Sequence, residues 1–126
     1  MRLGAKEAFT VLDISELPSK PLSEDWGFVF AGRNTVTSLR GQPGSPWRLS
    51  EVTEQWGVSH HDAVPVGRWL DRGAWAFSVP EDSINETAHL SGNLYGLLGR
   101  VEDSLFQAHG RAYQLLHWRD THQHCG

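Results

Sequence analysis

Apolar residues recur along this chain at two different periods. Leu105, Ala108, Ala112, Leu115 and Leu116 fall at helical spacings and form one stripe, which predicts a long helix near the C-terminal end. Asp103 and Ser104 stand just before the stripe, where a side-chain oxygen can cap the first free N–H groups. After Trp118 the stripe stops, and Arg119 to Gly126 is polar and ends in Cys-Gly. Upstream the period falls to two. Trp26, Phe28 and Phe30 alternate, Ala31 to Asn34 holds turn residues, and Thr35 to Leu39 returns as a strand, so this is a hairpin. A second hairpin runs from Ala63 to Leu70 and back from Ala74 to Pro80, through a turn that holds Gly73. Trp75, Phe77 and Val79 share one face of it, and Pro65 marks its first strand as an edge or as irregular at its start.

Shorter signals fill the gaps. Ala8 to Ser15 reads as an edge strand or arm, and Glu16 to Glu24, with Pro18 and Pro21, as a loop. Arg40 to Pro46 is turn-rich. Leu49 to Trp56 predicts a short helix, with Ser50 as N-cap, Glu51 in the first turn and Gly57 as the stop. Glu81 to Leu90 reads as a polar surface loop and Asn93 to Leu98 as a short helical turn. Gly110, inside the long helix, costs about 1 kcal/mol relative to Ala. That cost points to close packing or a bend. Strands in hairpins with helices between and after them give an α+β fold: a mixed or antiparallel sheet with helices packed on it and a long C-terminal helix.

The 126 residues suffice for one domain with a modest core. With 39% hydrophobic and 21% charged residues, the chain has the composition of a globular protein and not of a disordered one. The formal net charge of -4 argues against this domain alone as a duplex DNA binder, since such binding rests on neutralising phosphates. The 6 Trp are expected as core or edge-of-core anchors, with some lining a pocket or interface. One Cys leaves no internal disulfide framework, no leader-like start is visible, and no apolar run approaches the ~18 residues that span a bilayer. The expected setting is cytoplasmic, away from membranes.

Candidate chemistry is sparse. There is no phosphate-binding G-x-x-x-x-G-K-[ST] loop, no G-x-S-x-G elbow and no G-x-G-x-x-G fingerprint. His60-His61-Asp62 reads as a solvated loop, because adjacent His on extended chain point to opposite faces. Cys125 beside His122 or His124 is a poor nucleophile candidate, since it sits in a terminal segment with no enclosure. His109, Tyr113 and His117 recur every four residues, as a binding stripe or as a partly exposed amphipathic face. His117, His122, His124 and Cys125 offer imidazole and thiolate, the donors zinc prefers.

The C-terminal stretch carries a family resemblance. Leu105-Phe106-Gln107, Gly110-Arg111-Ala112, Trp118, His122 and Cys125-Gly126 together resemble the segment of NADH pyrophosphatases that joins an N-terminal Nudix-like domain to a four-cysteine zinc ribbon. In that family the helix leads through an aromatic and a His into C-x-x-C-G. Here His124 stands where the family more often has an aromatic. The resemblance implies a degenerate Nudix-like α/β/α sandwich over residues 1–120 and the start of a zinc ribbon over 121–126. It makes Cys125 the first of four structural zinc ligands, with the other three beyond Gly126. Two other readings of the cluster stay open: a metal held by His122, His124 and Cys125 themselves, or a polar tail with no ligand. The Nudix catalytic box, which clusters carboxylates around divalent cations, needs Arg-Glu followed closely by Glu-Glu. Neither dipeptide occurs in the chain.

Two functions are therefore expected in competition. In the first, the chain is the non-catalytic front of a homodimeric NAD(H) diphosphatase. The parent would hydrolyse NADH or NAD to nicotinamide mononucleotide and AMP with Mg or Mn, and the resemblance extends this to NAD-capped RNA ends. In the second, it is a free-standing aromatic-rich α+β binding or adaptor module without chemistry of its own. The reading frame beyond Gly126 separates them: further cysteines and an acidic box in one case, a stop in the other.

Overall fold

A computed structural model describes residues 12–13, 17, 19–38, 44–85, 87–97 and 101–125; the side chains of Leu12, Asp13, His60, Tyr95, Leu97 and residues 122–125 lie outside that description. The elements in chain order are β1 (Leu12–Asp13), β2 (Trp26–Ala31), β3 (Asn34–Ser38), β4 (Trp47–Arg48), α1 (Leu49–Trp56), β5 (Val64–Trp69), β6 (Arg72–Val79), β7 (His89–Asn93) and α2 (Asp103–Cys125). Short 3-10 turns lie at His60–Asp62, Glu81–Ser83 and Leu94–Leu97. The strands form one mixed sheet in the order β1-β5-β6-β2-β3-β7, with β4 paired to the start of β2. β2 and β6 run parallel at its centre, from Trp26 opposite Ala74 to Ala31 opposite Val79, and the other pairs are antiparallel. The expected α+β class, with helices on a mixed sheet and a long C-terminal helix, is what the chain adopts.

The alternation of β2 and β6 explains why both faces are covered. Phe28 and Phe30 of β2 and Ala74 and Ala76 of β6 face α2, with Trp26 at the margin. Ala108 and Ala112 of the helix meet them, so small residues oppose small residues and the helix lies close. The alternate positions, Val29, Ala31, Trp75, Phe77 and Val79, face α1 through its Leu49 and Val52. Gly27 is needed there: a Cβ on it would stand 3.0 Å from Val52 Cγ2 and 3.1 Å from Leu49 Cδ2. The result is a three-layer α/β/α arrangement with a core on each face of the sheet.

Several local expectations are corrected. The second hairpin turns at Leu70 and Asp71, both with positive φ (53° and 64°), while Gly73 lies inside β6. Leu70 packs at the margin of the α2-side core, and that burial holds it in an unfavourable backbone region. The residue before α1 is Arg48, not Ser50; its N–H donates to Glu51 Oε1 at 2.8 Å. Gly57 does end this helix, at φ 64°, with its N–H on Thr53 O. Ser104 lies inside the first turn of α2 and also accepts Trp69 Nε1 at 3.3 Å. The expected polar loop gives way at His89 to β7. Among the described residues its only strand neighbour is β3, so most of its side chains face water and the hydrophobic alternation is missing.

Pro65 does coincide with irregularity. The register between β5 and β6 shifts between Pro65 and Gly67. Arg111 Nε of α2 donates to Val66 O at this shift, at 3.0 Å.

Candidate functional site

The face of α2 that carries the resemblance splits by direction. Ala112 is fully buried against the sheet and Arg111 reaches the β5 irregularity. Gly110 does neither. A Cβ there would meet nothing within 4 Å, so close packing does not explain this glycine; open space lies beside it. Further on, Leu116 is the last buried residue described, and Trp118 is 59% exposed. Arg119 Nη1 donates to Asp62 O at 3.1 Å, which ties this part of the helix to the loop before β5. The backbone stays helical through Cys125, across the expected boundary at residue 120. The side chains of His122, His124 and Cys125, the candidate metal donors, lie outside the described residues.

The four-residue stripe comes apart into two roles. His109 is 1% exposed, edge-on to Phe28 at 4.8 Å and near Phe30 at 6.3 Å. Its Nε2 lies 2.6 Å from Gly44 O, so it carries the proton and donates; buried Nδ1 has no partner among the described residues. Burial drives its pKa down from 6.5 to about 4, against the opposing effect of the Gly44 bond. Tyr113 is half-buried at the margin of this core, and His117 is exposed. Their rings stack at 6.2 Å and 14°, and Tyr113 also leans on Phe30 at 5.6 Å.

On the opposite face, a second aromatic group forms around a histidine absent from the candidates read in the sequence. His89 is buried between Trp47 at 5.7 Å and Trp56 at 4.9 Å. Its Nδ1 accepts Asn85 N–H at 3.0 Å, which leaves Nε2 to donate to Gln55 Oε1 at 2.6 Å. Burial lowers its pKa, and both ring nitrogens are engaged. A hollow of about 410 Å³ adjoins it, bordered by Glu81, Ile84 and Ser91. No sequence signal marks His89 because the surrounding segment is polar and its partners come from α1 and β4.

Two further hollows meet at Tyr113. The larger, about 480 Å³, lies over Gly110 between Arg33, Asn93, Phe106 and Gln114. The smaller, about 260 Å³, includes Ser78, His117 and Asp120, and shares Arg33 and Tyr113 with the first.

His61 and Asp62 are exposed, in keeping with a solvated turn; the His60 side chain lies outside the described residues. Among the described residues no group of three or more His, Cys, Asp or Glu converges as a metal would require, and no helix is long and apolar enough to cross a membrane. Of the Trp residues, Trp47, Trp69 and Trp75 are buried. Trp26 and Trp56 sit at core margins, and Trp118 is largely exposed.

Comparison with protein-family models, curated proteins and solved structures finds no match for this chain.

Proposed function

We propose that this chain is the non-catalytic N-terminal domain of a cytoplasmic NAD(H) diphosphatase. The parent chain hydrolyses the pyrophosphate of NADH or NAD to nicotinamide mononucleotide and AMP, and accepts NAD-capped RNA ends as a second substrate. This domain holds a zinc ribbon in place and contributes to a homodimer. The observation that carries the reading is the end of α2: an exposed Trp118 on a helix that runs unbroken to Cys125. Trp118 presents an aromatic surface of the kind that an adjoining ribbon would cover.

A structural zinc takes four donors in a tetrahedron. Cys125 offers one thiolate, and the described residues contribute no convergent set. On this reading the other three donors come from the ribbon that the domain holds. Mg or Mn would be held by an acidic box elsewhere in the parent, since this chain has neither Arg-Glu nor Glu-Glu.

The test is NADH hydrolysis with Mg or Mn by two proteins: the 126-residue chain and the product of its full natural reading frame. The expected result is turnover by the second and none by the first. Turnover by the 126-residue chain would overturn the non-catalytic reading. A natural frame that stops after Gly126 would favour the alternative, a free-standing aromatic-rich binding module, for which the hollow over Gly110 is the supporting feature.

A further inference from the structure

Gly110 is the least explained residue of α2. It lies in mid-helix, where glycine is a poor choice, yet no neighbour lies where its Cβ would go. What the missing side chain leaves is the floor of the hollow of about 480 Å³, within the range of small-molecule sites. The walls differ in chemistry. Phe106 and Tyr113 stand one turn either side of Gly110 on the same helix and offer aromatic surface. Tyr113 is held by Phe30 on one side and His117 on the other, so its ring is oriented before any ligand arrives. Asn93 and Gln114 add amide groups at the rim.

Among the described residues, Arg33 supplies the only charge in this lining. It stands in the tight turn between β2 and β3, fixed by Ala31 opposite Asn34, and pairs with no carboxylate among the described residues. Arg33 is exposed at the mouth of the aromatic-walled hollow, where its guanidinium can meet an incoming anion. Asp120, in the neighbouring smaller hollow, lies 3.5 Å from Arg119 Nε, so its charge has another partner.

We propose that the hollow over Gly110 binds a small organic anion: a flat ring resting against Tyr113 and Phe106, with a phosphate or carboxylate on Arg33. A guanidinium takes either anion in a two-pronged hydrogen bond, and an aromatic wall takes any planar ring, so nucleoside monophosphates and aryl carboxylates share the chemistry required. This site does not depend on what the chain is joined to, and it stands or falls separately from the diphosphatase reading.

The test is an amide NMR titration of the 126-residue chain with AMP, benzoate, adenosine and inorganic phosphate in turn. Saturable shifts are expected at Arg33, Gly110 and Tyr113 with AMP or benzoate. AMP without benzoate would identify a nucleotide site, and benzoate without AMP an aryl carboxylate site. Adenosine and phosphate alone should bind at least about tenfold more weakly, since each makes half the contacts. Gly110→Leu fills the hollow with a better helix former and should abolish the shifts while leaving the rest of the spectrum in place. Arg33→Gln, on an exposed turn, should reduce AMP to the level of adenosine. Phosphate binding as well as AMP, AMP and benzoate both failing to shift these residues, or undiminished binding by Gly110→Leu or Arg33→Gln would overturn the proposal.

Discussion

The carboxylate of Asp25 accepts the indole N–H of Trp75 at 3.0 Å, joining the turn before β2 to the middle of β6. The same Oδ2 accepts Leu22 N–H at 3.0 Å, and Oδ1 accepts Gly73 N–H at 3.3 Å. The backbone of this turn also receives the start of α1: Leu49 N–H donates to Asp25 O and Ser50 N–H to Ser23 O. One 4%-exposed acid thus fixes two strands and a helix relative to one another. Asp25→Asn leaves one acceptor oxygen and sets an NH2 against a buried donor. It should cost about 1–3 kcal/mol, read as a lower urea midpoint with an unchanged m-value. A midpoint within error of the parent would show that Asp25 is not the tie described.

His109 makes stability depend on pH. Its folded pKa of about 4 lies below the ordinary 6.5, so below pH 6.5 the unfolded chain takes up a proton that the folded chain refuses. Its contribution is complete above pH 6.5, falls as pH drops from 6.5 towards 4, and is flat below that. The loss is roughly 3 kcal/mol over that window. His109→Phe removes the titration and leaves the Gly44 carbonyl without its donor, so it should be less stable at pH 7 yet flatter with pH. Equal pH slopes for the two proteins between pH 6.5 and 4 would contradict this.

At Gly110 the same open space predicts a gain. With no atom within 4 Å of the missing Cβ, Gly110→Ala should stabilise the chain by about 0.5–1 kcal/mol through helix propensity alone. A loss of stability by thermal or urea unfolding would mean the position is crowded after all.

The turn at Leu70 and Asp71 predicts another. Both residues adopt positive φ, and Asp71 is exposed. Asp71→Gly should add about 0.5–1 kcal/mol, measured by urea unfolding, by relieving that backbone cost. The Arg68 bond to Asp71 would survive because it uses the main-chain oxygen.

Much of this architecture could be read in advance where one residue pattern decided one element. The alternation Trp26-Phe28-Phe30 and the stripe from Leu105 to Leu116 gave the first hairpin and the long helix because burial enforces their periods. Leu49 to Trp56 was legible from its length and from Gly57. What escaped was set by distant partners. β7 is polar because it borders the sheet. Leu70 enters the turn because its side chain reaches the core margin, which overrides the pull of Gly73. The hollow at Gly110 was illegible for a similar reason: Arg33, Asn93 and Tyr113 come from separate elements, and glycine by itself says nothing of whether its surroundings are crowded or empty. His109 was visible as part of a stripe, but its ring contact with Phe28 and its bond to Gly44 are made with residues far away in sequence.

The proposed connection from α2 into a metal ribbon is tested most directly by metal analysis of the protein made from its full natural reading frame. The proposal predicts one zinc per chain in the parent protein and its loss in Cys125→Ser, with the core around Phe28 and Ala112 still folded. A zinc-free parent protein, or a zinc content that Cys125→Ser leaves untouched, would contradict it.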